Sequence, residues 1–321
     1  MTDASDARPE PSEGALEPAD ATGPGPVEST TTRHAARARA SELRALQQKK
    51  DRRNRWLLRG GVIGGILVVL GGIAFVLLTW AQPAARGPQN MQSDGILIGP
   101  ELAAVKTPGI GPGEAPQPIE TAAPEVAHIR LYVDYLSAGS GTFESVNGDQ
   151  IESLVSSGAA TVEIHPLALL SGRSAGTQYS SRAANAAACV AEFSPDSFFA
   201  FNRIMLAEQP VEGQPGFGDE ELISRAQQAG ASTSLVSTCI ESMRFRGWVQ
   251  AATKRAQDGP IPGSAVEGIT ETPVVLVNGT PYPYVADEDP AEFTQFIVRT
   301  AGDTFIESQL PSPSPSPSSG G

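Results

Sequence analysis

Between Gly60 and Trp80 the chain reads GGVIGGILVVLGGIAFVLLTW, 21 residues without a charged side chain. As a helix this run spans roughly 31 Å, close to the thickness of a bilayer's hydrocarbon core. It predicts a transmembrane helix over residues 60–80 and divides the chain into parts that face different solvents. A cleavable signal peptide is the rival reading. The length of the run, its depth in the chain and the lack of a persuasive cleavage site disfavour it. A helix buried in a soluble core fits less well still. Trp56 and Trp80 flank the run as interfacial anchors.

Charge is distributed unevenly about this span. Residues 33–59 hold ten Lys/Arg against Glu42 and Asp51, whereas only Arg86 and Lys106 lie between the span and residue 125. Basic flanks stay on the cytoplasmic side, so the N-terminus is expected in the cytoplasm and the large C-terminal part outside the cell membrane. The lipid bilayer is then the first partner, and the basic juxtamembrane segment favours its anionic lipids. Residues 126–308 carry 22 Asp/Glu against 10 Lys/Arg. So acidic an exterior part is a poor match for nucleic acid, which needs a basic footprint.

The tails are not expected to fold. Residues 1–32 are acidic, rich in Pro, Ser, Thr and Gly, and have almost no large apolar side chains. Residues 309–321 end in PSPSPSPSSGG, an extended flexible tail. Residues 81–125 read as a linker, Pro/Gly-rich over 103–124, with a possible early strand at 95–99.

Residues 126–308 contain an α/β pattern. HIRLYVDY over 128–135, TVEIHPLALL over 161–170 and TPVVLVN over 272–278 predict strands. Residues 282–285 suggest a short fourth strand, and Asn278-Gly279 before it is a strong hairpin signal. Apolar spacing predicts a helix over 143–155, five more over 180–193, 195–208, 219–229, 233–243 and 245–256, and a last one over 289–300. Asp219 reads as an N-cap. The order is β-α-β, a block of helices over about 175–260, then β-β-α.

The segment VDYLSAGSGTFE places Ser137-Ala138-Gly139-Ser140 between the first of these strands and its helix. With VEIHPLALL, YSSRAANAAACVAE, FGDEELISRAQQAG, TCIESMRFRGWVQAAT and TPVVLVNG, it resembles the DsbA-like branch of the thioredoxin superfamily, especially its membrane-anchored bacterial members. The resemblance covers roughly residues 94–302. It implies a thioredoxin-like fold with an inserted helical subdomain. In the family the four-residue position carries Cys-Pro-x-Cys at a helix start. The attacking cysteine falls on Ser137 and the resolving one on Ser140, with Ser140 expected to open the helix. Disulfide exchange needs a thiolate, which serine cannot supply. The resemblance further implies a cis peptide bond at Thr272-Pro273, facing the degenerate motif and presenting backbone to an extended peptide. A trans proline at the start of a strand is the alternative there.

Cys189 and Cys239 are the only cysteines. As the sole thiols of an exported domain they are expected to form a structural disulfide. A relocated redox pair is the alternative, but neither cysteine has the close-spaced helix-start setting that lowers a thiol pKa. His34, His128 and His165 are the only histidines, and no Cys/His/carboxylate spacing suggests a metal site. His165 reads as packing at a strand end. No phosphate loop follows a strand, and no cofactor is expected.

These features predict an extracytoplasmic, redox-inactive module that binds exported peptides or envelope proteins. One alternative is an enzyme that uses Ser137 to stabilise a bound thiolate, as some glutathione-transferase relatives use a hydroxyl. Another is a spacer that holds the Pro/Ser tail away from the membrane.

Overall fold

A computed structural model of the chain describes residues 86–119, 126–286 and 289–309. The readings for residues 1–80, with the transmembrane span among them, and for the Pro/Ser tail lie outside the described residues. Among the described residues no helix is long and apolar enough to cross a membrane.

Five strands form one sheet. They are β1 (Ile96–Ile98), β2 (Ala127–Asp134), β3 (Ala160–Leu167), β4 (Val274–Val277) and β5 (Thr280–Pro281), in the spatial order β1-β3-β2-β4-β5. β2 and β3 run parallel, and every other neighbouring pair is antiparallel. A parallel pair needs a crossover, and α1 (Ala138–Ser156) supplies it. Side chains alternate across the sheet. Ile129, Leu131 and Val133 of β2, Val162 and Ile164 of β3, and Val275 and Val277 of β4 all enter the main core.

On that face α1 contributes Phe143, Ile151 and Val155, and α7 (Pro290–Gln309) contributes Phe293 and Ile297. The Phe143 ring meets those of Phe293 and Tyr284 edge-on at 5.4 and 5.3 Å, the favoured aromatic geometry. α7 starts where Asp289 accepts a 2.9 Å bond from the Ala291 amide.

Between β3 and β4 lies the helical insertion: α2 (Tyr179–Phe193), α3 (Phe198–Ala207), α4 (Asp219–Gln228), α5 (Ser234–Glu241) and α6 (Arg246–Asp258). α2 is central to it. Its buried alanines, Ala183, Ala184, Ala186, Ala187, Ala188 and Ala191, let neighbouring helices approach closely. Cys189 of α2 and Cys239 of α5 form a disulfide with Cα atoms 5.7 Å apart, and both residues are buried.

Three expectations need correction. First, residues 86–119 are not a free linker. Met91 and Ile110 are buried, and the Asn90 side chain donates to the Ala191 carbonyl of α2 at 2.8 Å. Asp94 accepts from Trp248 Nε1 at 3.0 Å and takes both arms of the Arg255 guanidinium at 2.6 and 2.7 Å. Proline and glycine content shows where regular structure stops, but not whether the backbone then packs. Second, the fourth strand lies at Thr280–Pro281, ahead of 282–285. Asn278 and Gly279 both take positive φ, so a two-residue turn pairs Val277 with Thr280 at once. Third, Gly218 is the N-cap of α4 and Asp219 its first helical residue. The Gly218 amide donates to Glu221 at 2.8 Å.

Candidate functional site

The four-residue motif sits where β2 ends and α1 begins, but its helix starts earlier than expected. Ser137 is the N-cap, and Ser140 lies fully buried inside the first turn. Ser137 Oγ accepts a long 3.4 Å bond from the Ser140 amide. It donates a shorter 2.7 Å bond to the backbone carbonyl of Thr272. The Thr272–Pro273 peptide is cis and faces the motif. Gly139 permits this approach. A Cβ there would lie 2.9 Å from the Thr272 carbonyl oxygen and 3.1 Å from Pro273 Cδ. Ala138 is exposed, as is Glu271 at the edge of the proline loop.

Beneath the motif, Asp134 is completely buried. One carboxylate oxygen accepts from the Leu136 amide and the other from the Leu170 amide, each at 2.9 Å. Burial pushes its carboxyl above the usual range, against the pull of these backbone donors. Ser140 Oγ accepts at 3.4 Å from the Asp134 amide. Asp134 thus ties the residue before the motif to the loop after β3, with both carboxylate oxygens turned to backbone amides.

This arrangement determines what Ser137 can do. A serine nucleophile needs a base within hydrogen-bond reach. The hydroxyl proton of Ser137 is instead directed at a backbone carbonyl, which is no base. The same bond occupies the donor that a bound thiolate would require.

A second polar group lies on the sheet face away from α1, and the sequence reading missed it. His128, Arg130 and Tyr132 alternate along β2, and Thr161, Glu163 and His165 along β3, with Arg130 level with Glu163. Glu163 is buried. One carboxylate oxygen lies 3.2 Å from His128 Nε2, and the other lies 3.3 Å from His165 Nε2 and accepts from the Ser93 hydroxyl. Tyr132 stacks on His165 with ring centres 4.3 Å apart. Among the described residues, no three His, Cys, Asp or Glu side chains are arranged to hold a metal ion. The available signal was the i, i+2, i+4 run of polar residues within two strands whose other face is wholly apolar.

Burial alone would raise the Glu163 carboxyl, but His165, His128 and Ser93 outweigh it and hold the group well below the usual carboxylate range. A carboxylate with a depressed folded-state pKa contributes stability that is full above its unfolded value, about 4.3, and is lost as pH falls below it. Glu163→Gln is expected to lower stability at pH 7 by about 2 kcal/mol, the worth of hydrogen bonds to a charged group. It should also flatten the loss of stability between neutral and acid pH. Urea midpoints at neutral pH and near pH 3 check this. An unchanged difference between the two would refute the assignment.

Comparison with known proteins agrees with this geometry. A thioredoxin family model matches residues 128–298, more than half of the chain. The chain belongs to the thioredoxin family, and a helical insertion lies between its parallel pair and the final hairpin. Among solved structures it is similar to the disulfide bond oxidoreductase DsbG of Mycobacterium tuberculosis, at 29% identity, covering 67% of this chain and 91% of that one, with a TM-score of 0.49. It is also similar to DsbA of the same organism, at 28% identity, 67% and 100% coverage and a TM-score of 0.47. BdbD of Bacillus subtilis follows at 17% identity, 69% and 100% coverage and a TM-score of 0.47. No curated protein matches the chain.

Proposed function

We propose that this chain is a single-pass, membrane-anchored envelope protein whose exterior thioredoxin-type domain binds peptides or proteins without exchanging disulfides. One observation carries this reading. Both sulfur positions of the family motif are serine, and the first hydroxyl is tied to the Thr272 carbonyl at 2.7 Å. The cysteines of the chain are a buried disulfide in the insertion, remote in sequence from the motif. The anchor is the uncharged run over 60–80, and the orientation follows from the basic residues before it. The docking surface is the rim formed by exposed Ala138 and Glu271 and half-buried Gly139, Thr272 and Pro273, where an extended segment can pair with backbone.

Two measurements test the proposal. Insulin reduction and peptide oxidation should remain at the catalyst-free rate. Turnover above that rate, abolished by Cys189→Ala, would contradict the redox half. A photocrosslinking residue at exposed position 138 should capture envelope peptides that the same residue at exposed Leu235 does not. Equal capture at both positions would remove the case for a binding rim.

A further inference from the structure

The polar face of β2 and β3 opens into a cavity of about 390 Å³. It lies toward the start of β2, away from the Ser137 rim at the other end of the strand. Its walls include apolar Pro116, Pro118, Ile119, Val126 and Pro262, with Gln117 and Thr304 among them. Its floor is the group formed by His128, Arg130, Tyr132, Glu163 and His165. Cavities of this size with apolar walls and a few convergent polar groups are the usual form of small-molecule sites.

The floor is costly for a protein interior. Burying a carboxylate and two imidazoles where strand partners would accept Val or Ile carries a desolvation cost that their mutual pairing must offset. Neighbouring elements are shaped around them. Gly95 leaves room for the His165 ring, which a Cβ at that position would approach to 2.6 Å.

The remaining hydrogen-bonding capacity indicates the ligand's charge. Glu163 is occupied: Ser93 and the two histidines surround its oxygens. Arg130 stands opposite Glu163 in the strand register, yet its guanidinium turns to the carbonyls of Pro262, at 2.7 Å, and Gly263, at 3.3 Å. It forms no ion pair among the described residues. The Tyr132 hydroxyl lies beside it. Asn278, at the rim, is also occupied, accepting from the His128 amide and donating to Thr304. Pro262, Gly263 and the Tyr132 oxygen use part of the Arg130 guanidinium; its other N–H groups and the Tyr132 O–H remain as donors. A guanidinium fork is suited to a carboxylate.

We propose that this cavity binds a small organic carboxylate with an apolar body, its carboxylate held by Arg130 and Tyr132 and its body against the proline-lined walls. The site is independent of the Ser137 rim.

The test uses the full chain in lipid nanodiscs, with 4-phenylbutyrate as the probe and 4-phenylbutylamine as the charge-reversed control. Calorimetry against empty discs should give a Kd below about 1 mM for the acid and much weaker binding for the amine. Arg130→Met should weaken the acid about tenfold or more, Arg130→Lys less, and Tyr132→Phe a few-fold. Leu235→Ala, at an exposed position that does not line the cavity, should leave binding of the acid unchanged. The proposal is overturned by a wild-type protein that does not bind the acid, by equal binding of the amine, or by unchanged binding in both Arg130→Lys and Tyr132→Phe. The latter two variants are conservative and keep the test valid if Arg130→Met does not fold.

Discussion

Replacing Ser137 and Ser140 together by cysteine is expected to produce a protein that oxidises peptide thiols, where the wild type does not. Position 137 is the N-cap of α1, so a thiolate there receives the Ser140 amide bond that Ser137 Oγ now accepts and the positive end of the helix dipole. Both terms lower a thiol pKa and raise the thiolate fraction. Position 140 is buried, which suits a resolving sulfur that substrates do not reach. One feature opposes these. The Thr272 carbonyl, which accepts the Ser137 hydroxyl proton, would face the new thiolate and repel it. Ala138 also stands where the family has proline. The double variant should therefore exceed wild-type background by at least about tenfold, the equivalent of 1.4 kcal/mol in barrier, yet show an atypical reduction potential. Titration against glutathione buffers followed by peptide oxidation measures both. A folded double variant whose new cysteines never pair would show that the motif does not occupy the redox position, and the proposed function would lose its main support.

The second large effect is expected at the insertion. The Cys189–Cys239 bond closes a loop with a sequence separation of 50 residues. In the chain-entropy account such a closure contributes about 4 kcal/mol through the unfolded state. Cys189→Ala with Cys239→Ala should lower unfolding stability by about 3–4 kcal/mol. The variant should still fold, because the alanine-rich face of α2 and the buried Phe198, Phe201 and Trp248 hold the insertion together without the bond. Urea unfolding of the double variant beside wild type gives the difference. A loss under about 1 kcal/mol would mean that the unfolded chain is already constrained there, or that the entropic account does not apply. Neither result would alter the reading of Ser137, since the two sites are chemically separate.

Several features were legible in the linear sequence because their causes are local. HIRLYVDY over 128–135 is apolar and β-branched enough to predict a strand from its own residues. Asn278-Gly279 specifies its own turn, since both residues tolerate positive φ. The serines at 137 and 140 remove thiolate chemistry wherever the chain places them. The helical block and its two cysteines follow from periodicity and from the expectation that an exported domain's only thiols pair.

Tertiary structure alone decided what depends on partners far away in sequence. The Ser137 hydroxyl is tied to a carbonyl 135 residues on, and nothing near residue 137 specifies that bond. Residues 86–119 have a linker's composition but are held by Asn90 to Ala191 and by Asp94 to Arg255, across 101 and 161 residues. His165 could be read only as a packing residue until β3 was set beside β2. Parallel pairing then brought both histidines to Glu163 and left Arg130 facing a cavity. A propensity is carried by neighbouring residues, whereas a buried polar contact depends on which strands and segments fold against one another. Hence the sequence revealed the scaffold and the missing thiols, while the latch at Ser137 and the Arg130 cavity required the assembled fold.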